Sequence, residues 1–265
     1  MSTSATDLYK AGKLAEAVAA AIDAVKSAPA DRPKRFFLAE LLVFSGDLER
    51  ADKQLDVLFQ PDSPDLPMVT LFRQLIRAET ARREFYTQGR LPEFLTQPSE
   101  CVKLHLEASI HLREGRTAEA TAVLAKAEEI RPHAAGTCDG KAFDDIRDLD
   151  DLAAPVIEVL TANGNYYHVA WETIELIEFH APERARDLYW RPAHMVVTEG
   201  PDGVVYVPTL YHGSHADPDN ALKLGRGTDY RGGEGTPHRG VGQREFLVGE
   251  DSLPILGIRE IEFTK

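Results

Sequence analysis

A chain of 265 residues, 43% hydrophobic and 28% charged, has the composition of a soluble globular protein and length enough for one large or two ordinary domains. Its formal net charge of -13 argues against nucleic acid as a partner, because neutralising phosphates needs a basic patch. No run approaches the roughly 18 apolar residues of a membrane span, and the start MSTSATDLYK lacks the basic and apolar stretches of a secretory signal.

The first half repeats itself. GKLAEAVAAAIDAVKSAP, from Gly12, and GRTAEATAVLAKAEEIRP, from Gly115, both place Ala five and twelve residues after the Gly and Pro at seventeen. These are Ala17, Ala24 and Pro29 in one segment, and Ala120, Ala127 and Pro132 in the other. A third copy starts at Gly46, keeps Ala51, puts Leu58 at the second position and lacks the Pro. Gly12 to Gly46 is 34 residues and Gly46 to Gly115 is 69, close to two such steps. That period is the signature of tetratricopeptide-type helical hairpins. Gly permits the tight turn, small Ala lets paired backbones approach, and Pro stops the second helix. Met68, Leu71, Phe72, Leu75, Ile76 and Phe85 share one helical face and mark a decayed unit between the copies, ended by a Gly89–Pro92 break. An ordinary helical bundle is the competing reading.

Residues 1–136 carry a charge balance of -2 and residues 137–265 one of -11, so two domains are expected, with the boundary inside 133–150. The fold class is α+β: an N-terminal all-α, tetratricopeptide-like domain over 1–136 and a C-terminal β-rich domain over 137–265. Asp139, Asp144, Asp145, Asp148, Asp150 and Asp151 form an acidic connector that reads as a solvated linker. Beyond it the period changes. PVIEVLT (155–161) and YYHVAW (166–171) flank an Asn-Gly turn, and Gly200–Gly203 turns between two further apolar runs. REFLVG (244–249) and LPILGIREIEF (253–263) look like closing strands. Such a series suggests a small antiparallel barrel or a strongly bent sheet.

Candidate chemistry is sparse. Cys101 and Cys138 have no zinc-ligand spacing and read better as free thiols of a reducing, cytoplasmic compartment than as a disulfide. The stretch 225–244 holds Gly-x-Gly repeats with Arg226, Arg231, Arg239 and Arg244, yet no Walker Lys or strand–turn–helix context accompanies it. It reads as a long loop over the β core, its arginines paired with Asp229, Glu234 and nearby carboxylates. An anion-binding sensor or enzyme in which Arg226, Arg239 and His238 converge is the alternative. His212 and His215 lack further metal ligands at fixed spacing and read as exposed loop histidines, so no metal and no cofactor is expected. Ser214 lacks the nucleophile elbow. Glu172, Glu175 and Glu178 would line up on a helix as a solvent-facing stripe. Trp171, Trp190, Arg191, Tyr211, Arg226, Asp229 and Arg239 are the candidate interaction or structural residues, since Trp and Arg are enriched at binding hot spots and also fill cores.

The segments DLDDLAAPVIEVLTANGNYYHVAWETIELIEF, RARDLYWRPAHMVV, GPDGVVYVPTLY and GRGTDYRGGEGTPHRGVGQREFLVGED resemble the ImpE family, also called TagJ or SciE. The likeness covers essentially the whole chain and is most specific from about 148 to 263. It implies a non-catalytic accessory protein of bacterial type VI secretion. It further implies binding to the small sheath subunit TssB through a helix and, in some systems, to the AAA+ ATPase ClpV. Helix-in-groove capture by the repeats is the mechanism that follows. No family motif fixes binding residues, so none is carried over. One departure is His168 in YYHVAW, where a larger aromatic is expected.

Overall fold

The structure, a computed structural model, describes residues 3–264. Among them the first half forms helices α1 (Ala5–Lys10), α2 (Leu14–Ser27), α3 (Arg32–Phe44), α4 (Leu48–Leu58), α5 (Leu66–Gln88), α6 (Glu100–Arg113) and α7 (Thr117–Glu129). Strands follow: β1 (Gly136–Cys138), β2 (Lys141–Phe143), β3 (Ile146–Asp148), β4 (Val156–Leu160), β5 (Tyr166–Ala170), β6 (Ile174–Phe179), β7 (Trp190–Val197) and β8 (Asp202–Pro208). A one-turn helix α8 (Asn220–Lys223) precedes β9 (Thr228–Gly233), β10 (Thr236–Gly242), β11 (Glu245–Val248), β12 (Asp251–Pro254) and β13 (Glu260–Phe263). The chain is thus α+β in two parts.

The sequence spacing has a direct structural counterpart. Gly12, Gly46 and Gly115 occupy the α1–α2, α3–α4 and α6–α7 turns with φ of +78°, +84° and +73°, a region that favours glycine. Gly46 is doubly constrained, because the His215 ring lies 2.3 Å from where a Cβ would stand. Ala17, Ala51 and Ala120 are fully buried within the second helix of each pair. Asp31, Asp47 and Ser99 accept backbone N–H groups at the starts of α3, α4 and α6.

The decayed unit differs from expectation. It is one 23-residue helix, α5, closed by Gly89, and no second helix pairs with it before α6. Pro92 and Pro98 disfavour helix in the intervening segment. The sheet edge recruits it instead: Glu93 N–H donates to Tyr166 O at 2.8 Å, and His168 N–H donates to Glu93 O at 3.1 Å.

Eight antiparallel strands make an open sheet in the order β2-β1-β13-β6-β7-β8-β4-β5, and β12-β11-β3 form a second, smaller sheet. Every residue of β4 is buried, because both faces of the large sheet are covered. One face packs on the helices, where Leu160, Tyr166 and Trp190 join Phe44, Phe72, Leu75 and Phe85. The other closes a second core of Ile157, Trp171, Ile177, Met195, Phe246 and Ile261.

Three expectations are corrected. Residues 228–242 form the β9–β10 hairpin and not a loop, with a bulge between Thr236 and Arg239. Glu175 and Glu178 lie on strand β6, where a bulge lets Ile174 and Ile177 both turn inward. The acidic connector is no solvated linker: Asp148 and Asp150 are buried, each held by an arginine.

Candidate functional site

Helix α5 is shared by two sites on neighbouring faces, with Arg83 at their border. Toward the sheet it presents Glu79, Arg82, Arg83 and Tyr86, a spacing that puts all four on one side of a helix. Arg82 donates from Nε to Glu158 Oε1 at 2.9 Å and from Nη2 to Glu158 Oε2 at 3.0 Å, the bidentate geometry that suits a guanidinium. Its Nη2 also reaches Leu210 O at 3.0 Å. Arg244 bonds the same Glu158 carboxylate and donates to Asp148 Oδ2 at 2.9 Å. Tyr86 and Tyr166 hydroxyls donate to Glu158 Oε1 at 3.1 and 2.5 Å. Asp150 accepts from Arg239 Nε at 2.9 Å and from Gly240 N–H at 3.0 Å. Glu79 accepts from Trp190 Nε1 at 3.2 Å.

The electrostatics follow from burial set against partner charge. Burial raises the Glu158 carboxyl, but the Arg82 and Arg244 guanidiniums outweigh it and hold the group well below the usual carboxylate range. Asp148 has one arginine and two neighbouring carboxylates, so burial pushes it up to about 7. His168, bonded to Tyr166 OH through Nε2 at 2.6 Å, is pushed down to about 4 by burial. His212 is not an exposed loop histidine: it stacks on Tyr86 at 4.4 Å and burial drives it to about 3.

Glu79, Arg82, Asp148, Glu158 and Arg244 are shut off from solvent, and each guanidinium among them faces a carboxylate. Ser214 Oγ donates to Tyr211 O at 2.7 Å and accepts from Gly242 N–H, which leaves it no base. Both cysteines are buried, and burial raises each thiol to about 11. The arrangement does mechanical work, pinning α5 to the sheet.

The neighbouring face of α5 is open. Between α4 and α5 runs a groove of ≈ 830 Å³ whose apolar floor includes Leu48, Ile76 and the exposed Phe59. Glu49 and Asp52 stand on the α4 side, with Arg73 and Arg77 on the α5 side. Arg73 reaches across to Asp52 at 2.8 Å and to Asp56 at 2.8 Å, so the walls are braced.

The family described as ImpE protein matches residues 140–262. Over 98% of this chain and 90% of the relative, the sequence is 32% identical to the type VI secretion system accessory component TagJ of Pseudomonas aeruginosa. The chain belongs to the ImpE family. A crystal structure of a Vibrio parahaemolyticus protein, 27% identical, has the same fold with a TM-score of 0.91 over 98% of this chain and 97% of that one. Among the described residues of this ImpE protein, no helix is long and apolar enough to cross a membrane.

The residues singled out from the sequence are scattered. Trp171 is buried in the second core, donating to Ala154 O at 3.1 Å and packing edge-on against Phe246. Trp190 lies in the first core against Phe72. Arg191 is buried too, donating to His180 O at 3.0 Å and Ile258 O at 2.8 Å. Tyr211 is buried, with Arg244 over its ring. Arg239 belongs to the network through Asp150. Arg226 is exposed and donates to Tyr9 O and Lys10 O at 2.6 and 2.8 Å, capping α1. Asp229 is exposed and pairs with Arg231. Arg226, Arg239 and His238 do not converge, because Arg226 turns to α1 while the other two turn to Asp150 and Asp151. Arg244 was expected to pair with carboxylates and does, with Asp148 and Glu158, while Asp148 was named but read as solvated. The residues missed were Glu79, Arg82 and Glu158. A signal existed for one: a carboxylate inside the apolar run PVIEVL is buried or misplaced, and a buried charge needs a partner.

Proposed function

We propose that this protein is a cytoplasmic, non-enzymatic adaptor of a bacterial type VI secretion system. It holds one helix of the small sheath subunit TssB in the α4–α5 groove, with the ATPase ClpV as a second partner. The groove carries this reading. It has an apolar floor between charged walls and lies between the second helix of the α3–α4 pair and the unpaired α5, a setting in which an amphipathic helix can dock by its apolar face. The family membership supports a protein partner rather than a substrate.

The test is calorimetric titration of the full chain with the TssB of the same organism, repeated with Phe59→Asp and Arg77→Glu. Both side chains are exposed, so the fold should survive their replacement. Wild type should bind, and each variant should weaken binding about tenfold or more. No heat from the wild type at tens of micromolar would remove the TssB assignment. Equal affinity in wild type and variants would move the partner off the groove.

A further inference from the structure

A second recess, ≈ 220 Å³, lies between α6, α7, the turn after β3 and the β9–β10 hairpin. His105 lines it. The residue is 5% exposed, and neither ring nitrogen has a hydrogen-bond partner. Burial pushes the ring down to about 3, so it is neutral at ordinary pH, with one N–H donor and one acceptor nitrogen unused. Buried polar atoms are rarely left in that condition, because each has given up its water.

The other polar groups of the recess are occupied. Arg147 donates to Asp148 O at 3.1 Å and Asp151 Oδ1 at 2.7 Å, and stands 3.4 Å from Glu128. Glu128 also accepts from Arg131 at 3.1 Å, and Asp151 accepts the His238 N–H at 2.7 Å. Thr121 Oγ1 is 2.9 Å from Thr117 O and 3.1 Å from Gly235 O. A charged ligand would have to break one of these ion pairs, whereas an uncharged one need only satisfy His105. Leu124, Ala125 and Pro237 supply apolar wall. The volume exceeds the roughly 150 Å³ that accommodates a benzene ring. One side is formed by the hairpin, whose tip lies against α7 through the Thr121–Gly235 contact.

We propose that this recess binds a small uncharged organic molecule bearing one hydroxyl or amide group, hydrogen-bonded to His105 and enclosed on its apolar side by Leu124, Ala125 and Pro237. Phenol is a suitable probe. The full chain, labelled with ¹⁵N-histidine, is titrated with phenol while the His105 ring nitrogens are followed by long-range ¹H–¹⁵N spectra, and thermal unfolding is run in parallel. Saturable movement of the His105 resonances is expected, with Tm rising by about 2–4 °C at tenfold excess over Kd. His105→Phe should abolish the Tm shift. If that variant does not fold, Ala125→Leu, placed at the exposed wall, narrows the recess and should cut the affinity severalfold. Unmoved His105 resonances, or equal phenol shifts in wild type and Ala125→Leu, would overturn the proposal and leave a recess filled by water alone.

Discussion

The two cores share one sheet but differ in what they admit. The core under α5 takes in Glu79, Arg82, Asp148, Glu158 and Arg244, all at or below 1% exposure, whereas the core behind the sheet is built from Trp171, Ile177, Met195 and Phe246, with buried Arg191 at its margin bonded to backbone carbonyls. The difference follows from how each layer is located. Strands β3, β11 and β12 are fixed in register by backbone ladders, and apolar packing then suffices. A helix lying on a sheet has no ladder, so apolar contact alone would let α5 rotate or slide. The fork of Arg82 on Glu158 supplies a direction. Buried ion pairs add little net stability over apolar packing, but breaking one is severe.

That contrast can be broken most directly at Glu158. Glu158→Ala takes the bidentate partner from buried Arg82, leaving it only the 3.4 Å contact to Glu79, and leaves Arg244 with Asp148 alone, and should lower unfolding free energy by about 3–5 kcal/mol in denaturant titrations. Replacing Arg82, Asp148, Glu158 and Arg244 together by apolar residues of similar size should cost less than the single change. If the fourfold variant is the worse of the two, the network is a source of stability and not of register. An intermediate effect is expected from pH. Buried His105, His168 and His212, with values near 3, 4 and 3, are neutral in the folded chain, yet in the unfolded chain each takes a proton below about 6.5. Their contribution is therefore present above about pH 6.5 and is lost as pH falls toward those folded values. Asp148 and Glu40, both raised to about 7, act oppositely: their contribution is full below about pH 4 and is lost as pH rises through 7. Between about pH 5 and 6 the unfolded chain binds one proton more, so stability should fall by about 1 kcal/mol per pH unit on acidification. Replacing His105 and His168 together by Gln should reverse that slope; an unchanged slope would place the titrating groups elsewhere. The smallest effect is expected at the surface, where Arg226→Ala removes the cap on α1 and should cost about 1 kcal/mol or less.

Local features were legible in the sequence and distant pairings were not. Gly12, Gly46 and Gly115 announce their turns because a left-handed φ is a property of one residue. The Asn163-Gly164 reversal is legible for the same reason, Gly164 having a φ of +83°, whereas in the β7–β8 turn the left-handed residue is Glu199 and Gly203 already belongs to β8. Asp148 and Asp150 looked solvated because their partners, Arg244 and Arg239, stand 96 and 89 residues away, and no local pattern encodes such a meeting. The β9–β10 hairpin was hidden because its glycines erase the alternation that marks a strand. The groove was legible only as architecture: the repeat spacing implies paired helices, but not which pair stays uncovered.

One helix belongs to both halves, and this sets where the molecule can be divided. A fragment ending at residue 136 would contain every lining residue of the groove. It would lack Glu158 and Trp190, and would leave Phe72, Phe85 and an Arg82 stripped of its bidentate partner facing water along one side of α5. Such a piece should be sticky and soft, easily degraded by proteases, despite carrying the groove's whole inner surface.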